Sequence, residues 1–349
     1  MRGLVTIFSR RLLALWLGTL SLSATHAAQA DDARPAAAVQ FSLDRAVDAV
    51  AAPFVVATAR GLFRAEGLNV NTNVVAGTRD AIARVAAGTS DLALADLNAL
   101  VRYRDSAEAA PVKAVFVLLN KTPYAIVARR SRGVSTLASL DGKTLGVADG
   151  DLAIRLWPAL ARHNGIKLAH VKQEKISVAV REPMLSAGQI DAVTGFSYLS
   201  AVNLRNRGVP ADDLAVFRYA DYGSAAYGLV VIVNPKFAAD RPDAVRGFLR
   251  AVIAGTRLAI SQPAQAIDDV VAQMDGGSRD LELERLRIVL HDNILTDDVK
   301  RDGLGGLDPA RFEASLGEIA EDFSFRKRPS AADIFDQSFL PDPAGRKID

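Results

Sequence analysis

The sequence predicts an α/β protein built from two similar lobes, and three observations point there. Extended apolar runs alternate with glycine-terminated helical runs over residues 39–119 and again over 123–219, the pattern of sheets covered by helices. Two segments about a hundred residues apart, AAGTSDLALAD ending at Asp96 and SAGQIDAVTGF ending at Phe196, share one grammar: a helix end, Ala-Gly, two residues, Asp, a short apolar strand and a polar turn. One unit present twice argues for two lobes over one large sheet. After Gly223 a last apolar strand, 227–233, gives way to amphipathic helices that are expected to decorate the first lobe.

Taken in order, residues 31–39 are rich in Ala and Pro and read as a loose leader. Strand 39–43 runs into a charged turn of Asp44, Arg45 and Asp48. Helix 53–65 follows, with Pro53 in the first turn, where its missing N–H costs nothing, and Phe54, Ala57, Leu62 and Phe63 on its apolar face. Strand 68–75 leads to Gly77 and Thr78 and to helix 79–87, closed by Gly88 in the position a left-handed cap requires. A short buried strand, 91–95, opens through Asp96, Leu97 and Asn98 into a third helix, and strand 112–119 completes the unit.

The second unit reads as strand 123–129, a turn at 139–143, strand 144–147 and a polar turn at 148–151. Then come helix 152–164, strand 172–176, helix 181–187 ended by Gly188, and strands 191–194 and 214–219. Pro158 is expected to kink the first of these helices or delay its start. Helices 242–261, 263–274, 280–291, 309–323 and 331–340 follow, with 341–349 as a loose tail. The implied organisation is a first lobe from 38–125, a second from 126–223, and a return to the first with the C-terminal helices at 224–340.

The bulk numbers exclude several classes. With 349 residues the chain can bury two cores of ordinary size. Lys and Arg number 42 against 40 Asp and Glu, with no basic stripe, so nucleic-acid binding has no electrostatic support. Cysteine is absent, which removes disulfides, thiolate nucleophiles, iron–sulfur clusters, cysteine zinc sites and the cysteine-linked lipid anchor of an exported protein. Residues 1–30 read as a signal peptide: Arg2, Arg10 and Arg11 precede an apolar core at 12–22 and the small-x-small site Ala28-Gln29-Ala30. That core is shorter than the roughly 20 apolar residues of a spanning helix. Ser9-Arg10-Arg11 also has the form of a twin-arginine signal, leaving both export routes open. The mature chain is thus expected to begin near Asp31 and to work outside the cytoplasm.

Catalytic motifs are weak. His163, His170 and His291 are the histidines beyond the leader, and none has the spacing of paired metal ligands. The run Gly195 to Leu199 lacks the second glycine of a nucleophile elbow, and the Gly303 to Gly306 run has no strand before it. Neither an enzyme, a cofactor nor a metal is expected. What remains is a set of polar turns at strand ends, several opening into helix N-termini whose free N–H groups suit a small ligand.

The segments PFVVATARGLFRAEGLNV, Gly77-Thr78-Arg79, GTSDLALAD, SLDGKTLGV and AGQIDAV resemble periplasmic solute-binding proteins of ABC importers, in the sulfonate, taurine, nitrate and thiamine-pyrimidine-precursor branch. The resemblance covers residues 39–233. It implies two α/β lobes (the type II periplasmic-binding-protein fold) joined by two crossing strands, here 124–128 and 227–231, with the ligand in the cleft between them. It also implies a monomer that closes on a small molecule and docks on an inner-membrane permease. Carried over, the cleft residues are Asp44, Arg45, Asp48, Gly77, Thr78, Arg79, Asp96 and Asn98 in the first lobe, and Asp149, Asp151, Thr194, Phe196, Tyr198, Asp221 and Tyr222 in the second. Where the pyrimidine branch has Trp and His, this chain has Arg45 and Ala51, while the run Tyr219 to Gly223 resembles that same branch. The ligand is therefore a small sulfonate or a nitrogen-containing solute. The alternatives are a sensor that presents its closed form to a membrane receptor, and a periplasmic enzyme on the same fold. Pyrimidine-synthesising relatives of this fold resemble cytosolic, cysteine-bearing enzymes, unlike this chain.

Each residue also has a plainer reading. Arg79 is a solvated cation unless an anion joins it at the helix start, and Arg45 is likewise a solvated charge. Asp44 or Asp48 caps the first helix, and Trp157 belongs to the core. Asp96 and Asp221 hold their own turns. Phe196 and Tyr198, two apart at a strand end, point to opposite faces, so that one of them reaches the cleft.

Overall fold

Residues 36–148 and 150–348 are described by the computed structural model. The leader read over 1–30 and Asp149 lie outside them. Ten strands form two five-stranded sheets. The first contains β1 (Ala37–Leu43), β2 (Leu68–Val74), β3 (Leu92–Asp96) and β4 (Lys113–Val117). The second contains β5 (Tyr124–Arg129), β6 (Thr144–Ala148), β7 (Lys172–Ile176), β8 (Ala192–Phe196) and β9 (Leu214–Arg218). The last strand, β10 (Leu229–Val233), returns to the first sheet.

The sheet orders are β2-β1-β3-β10-β4 and β7-β6-β8-β5-β9. They are one topology used twice. In each sheet the fourth strand runs antiparallel to its neighbours. In each it is also the strand that has just arrived from the other sheet: β5 enters the second from β4, and β10 enters the first from β9. The two crossings are tied by backbone bonds, Gly228 N–H to Leu119 O at 3.0 Å and Thr122 N–H to Ala226 O at 3.2 Å. The central strands β3 and β10 are buried along their whole length, as strands covered on both faces must be.

Helices cover the sheets. In the first lobe these are α1 (Ala52–Ala59), α2 (Thr78–Ala87) and α3 (Leu97–Arg104). In the second they are α4 (Leu152–His163), α5 (Val178–Ser186) and α6 (Ser197–Asn206). The C-terminal part adds α7 (Pro242–Ser261), α8 (Pro263–Val271), α9 (Arg279–Val289) and α10 (Pro309–Ala320). Phe41, Phe54, Phe63 and Phe248 form the aromatic centre of the first core, with Phe248 5.1 Å from Phe41 and 5.0 Å from Phe63.

Several expectations are corrected. The first helix stops at Ala59 because Gly61 adopts a left-handed conformation, and a separate turn, Leu62–Ala65, follows. Pro158 neither delays nor breaks α4, which runs through it. The helix after β8 was not read from sequence. The expected helix over 331–340 reduces to the short turns Ala331–Ile334 and Gln337–Phe339. The tail is docked, not loose: Arg257 donates to the carbonyls of Gly345 and Lys347, and Arg346 to that of Leu304. The C-terminal helices also do not decorate the first lobe alone. From α9, Arg285 reaches Asn203 of α6 at 2.5 Å and Glu284 pairs with Arg205. Beyond α10, Glu321 pairs with Arg162 at 2.6 Å. Trp157 is fully buried in the core, as its helical stripe implies.

Candidate functional site

Parallel strands put their C-terminal ends on one edge, and in this chain those edges of the two sheets meet. The contact is made by the turn after β1 and by the end of β8. In the turn, Asp44 is buried and holds Arg45 through two parallel bonds, Nε to Oδ1 at 2.8 Å and Nη2 to Oδ2 at 3.0 Å. Nη1 of Arg45 then donates to the Tyr198 hydroxyl at 3.1 Å, from the first lobe to the second. Asp48 accepts from the Val50 N–H at 2.9 Å and so caps the turn that leads into α1. The next N–H, of Ala49, goes to Glu282 of α9 at 2.8 Å.

On the other side, β8 ends at Phe196 and α6 begins at Ser197. The expectation that Phe196 and Tyr198 point to opposite faces assumed that the strand continued. Since it does not, Tyr198 swings to the same side, and the rings stack with centroids 5.9 Å apart and planes 10° apart. The β5–β8 register sets Tyr124 opposite Phe196, and these rings also stack, at 6.0 Å and 19°. Tyr124, Phe196 and Tyr198 thus form a shelf of three nearly parallel rings, closed at one end by the edge of Tyr219.

Two further carboxylates stand at strand ends. Asp96 accepts from the N–H groups of Asn98 (2.8 Å) and Ala99 (3.1 Å), capping α3, and from the Tyr124 hydroxyl at 2.5 Å. Its own N–H donates to the Thr78 hydroxyl oxygen at 2.6 Å. Thr78 therefore braces the neighbouring strand end. Asn98 donates to the Tyr227 carbonyl at 3.0 Å, tying α3 to the second crossing. Asp151 caps α4 through the Ala153 N–H at 2.8 Å and accepts from the Thr194 hydroxyl at 2.5 Å. The buried Arg181 of α5 lies 3.4 Å from Asp151 and 3.4 Å from Glu182, and its Nε has no partner among the described residues.

Burial dominates the electrostatics. It pushes Asp96 from the ordinary 3.8 up to about 6, against the downward pull of its donors, Tyr124 first. Burial raises Asp48 to about 6 as well, opposed by Arg45 and the Val50 N–H and helped by Glu282 and Asp44. The Tyr198 phenol is raised by burial and by Asp48. Around the shelf, Asp44, Asp48, Asp96, Asp151, Glu182 and Glu282 outnumber Arg45, Arg102, Arg181 and Arg285, so the region favours donors and cations over anions.

The remaining candidates lie outside this cluster. Gly77 has a positive φ, +95°, and carries the chain into α2. Arg79 is exposed and makes no ion pair among the described residues. Asp221 is exposed and turned to Arg218 at 2.6 Å, and Arg218 also reaches Asp292. Tyr222 packs edge-on against Phe217. Sequence reasoning missed Tyr124, Arg181, Tyr219, Glu282 and Arg285. A tyrosine opening an apolar strand at a crossing was the one available signal among them. The others sit on helices or turns whose charged and aromatic residues read as ordinary faces.

The family described as "NMT1/THI5 like" matches residues 48–266, more than half of the chain. The chain is 24% identical over 216 residues to a 4-amino-5-hydroxymethyl-2-methylpyrimidine phosphate synthase of Legionella pneumophila, covering 62% of this chain and 67% of that one. It is 28% identical over 221 residues to the riboflavin-binding protein RibY of Chloroflexus aurantiacus, covering 62% and 61%. The match thus spans only about three fifths to two thirds of these relatives. Among solved structures, the periplasmic aliphatic sulphonate binding protein SsuA of Escherichia coli superposes with a TM-score of 0.66 at 14% identity, over 81% of this chain and 85% of that one. The chain belongs to the NMT1/THI5-like family and has the two-lobed α/β fold of periplasmic binding proteins.

Proposed function

We propose that this protein is the extracytoplasmic binding component of an ABC importer and captures a flat, nitrogen-containing aromatic solute between its two sheets. The observation that carries the reading is the Tyr124–Phe196–Tyr198 shelf, set among more carboxylates than guanidiniums. Phe196, half-buried between the fully buried Tyr124 and Tyr198, offers the ring on which a planar ligand can stack, and buried carboxylates accept from ring N–H and amino groups. A sulfonate would meet the same carboxylates as repulsion. The names of two relatives, a pyrimidine phosphate synthase and a riboflavin-binding protein, both involve planar nitrogen heterocycles.

A ligand touching both edges favours the closed arrangement by its differential affinity for it. The closed form then docks on a permease in the membrane and releases its cargo there. Among the described residues no helix is long and apolar enough to cross a membrane, so the transport step is assigned to the partner, and the leader is assigned the export.

The test is a thermal-shift and calorimetry screen of 4-amino-2-methylpyrimidine, riboflavin, taurine and nitrate. A true ligand at a hundred times its Kd raises stability by about 2.7 kcal/mol. Stabilisation by a heterocycle is the expected result, and stabilisation by taurine or nitrate alone overturns the solute assignment. A second reading, a pyrimidine-forming enzyme, is favoured by the name of the Legionella relative. Product formation abolished by alanine at Asp96 or Tyr124 would establish it in place of the first.

A further inference from the structure

The charged turn of the first lobe sends one cation onto the aromatic shelf of the second. Two of the three nitrogens of Arg45 are engaged by Asp44. What remains is Nη1, bonded to Tyr198, and the guanidinium carbon, which stands over the Phe196 ring, 5.2 Å from its centre. Phe196 is the middle ring of the shelf. A guanidinium is a planar cation that stacks on aromatic faces. The anchor and its guest differ in exposure: the Asp44 side chain is 2% exposed and that of Arg45 21%. The acceptor is thus built into the wall, while the planar cation is partly exposed.

We propose that Arg45 is a built-in occupant of the ligand seat. Its guanidinium stands where an amino-bearing or cationic ring of the solute stacks on Phe196, so that capture exchanges one planar donor for another. The inference rests on the reading of the cleft given above, and it makes Arg45 the residue that sets selectivity. An incoming solute must replace a two-bond contact to Asp44 and a cation–π contact with Phe196 together, which a ring without donors does not do. An anion gains little, because Asp44 already neutralises the guanidinium. Occupancy also sets affinity: a seat that is open a tenth of the time weakens apparent binding about tenfold.

The test uses the mature chain with Arg45→Ala and Arg45→Gln, the second keeping a neutral planar amide within reach of Asp44. In the first arm the probe is methylguanidinium chloride, with tetramethylammonium chloride as the matched salt. The expected result is a methylguanidinium-specific rise in Tm for R45A, a smaller one for R45Q and none for the unaltered protein. Adding Asp44→Asn to R45A removes the anchor and is expected to abolish the rise. This arm needs no knowledge of the physiological solute. In the second arm 4-amino-2-methylpyrimidine is titrated by calorimetry, with Kd expected to fall about tenfold in R45A and less in R45Q. Equal methylguanidinium effects on unaltered and variant proteins, or weaker pyrimidine binding in both variants, overturn the proposal. If methylguanidinium stabilises R45A while no heterocycle binds either protein, the seat stands and it is the solute assignment that fails. R45Q carries both arms should R45A not fold.

Discussion

Replacing Asp96 with Asn isolates the cost of keeping a carboxylate charged at the junction of the two sheets. Asp96 is 3% exposed, and burial raises it from 3.8 to about 6. Its folded value therefore lies above its unfolded one. Between about pH 4 and pH 6 the folded state holds the extra proton, so this group lowers stability as pH rises through that window, and the full cost is present above pH 6. The shift corresponds to about 3 kcal/mol. Asn mimics the protonated form. Its carbonyl still accepts from the N–H groups of Asn98 and Ala99, and its amide donates to the Tyr124 oxygen once the phenol turns. The expected outcome is a variant equal to the parent near pH 4 and up to about 3 kcal/mol more stable at pH 7.5. Urea denaturation at four pH values measures the difference between the two proteins, in which other titrating groups cancel. That difference should grow by about 1.4 kcal/mol per pH unit through the window and then level off. A difference that does not change with pH would refute the reasoning.

Two more perturbations probe the frame around the site. Glu282 is 1% exposed and joins the Ala49 N–H to Arg285; Glu282→Ala should cost about 3–5 kcal/mol in chemical denaturation by leaving the guanidinium uncompensated, and a loss under 1 kcal/mol would show the pair to be unimportant. Gly255 of α7 lies against α1, where an added Cβ would meet the Pro53 carbonyl oxygen at 2.2 Å. Gly255→Ala should therefore destabilise by roughly 1–3 kcal/mol, although the same change in an open helix position stabilises by about 1 kcal/mol; a rise in Tm would contradict the close crossing.

Much of the fold was legible because its signals are local. The helix-ending Gly88 and Gly188 and the repeated Ala-Gly-x-x-Asp grammar each span a few residues and appear where expected, and the strand and helix periods place most elements, the helix after β8 and the helix over 331–340 being the exceptions. The charged turn was legible as a place but not as a geometry: Asp48 is a cap, Asp44 is an anchor, and Arg45 faces the other lobe. Asp221 is held by Arg218, which also reaches Asp292, seventy-one residues on, and no local pattern signals that link. The relation of Phe196 to Tyr198 was misjudged because one residue of strand length decides which face a side chain takes.

By itself the sequence determined the alternation of elements, the unit used twice, and which polar residues stand at strand ends, because short-range sterics and hydrophobic period settle these within one element. The tertiary structure decided which edges meet, that three aromatic rings line up across a register and a helix start, and that a cation from residue 45 lies over a ring at residue 196. Those pairings join segments far apart in the chain. They depend on sheet order, on crossing geometry and on the helices packed behind them, and no local pattern carries that information.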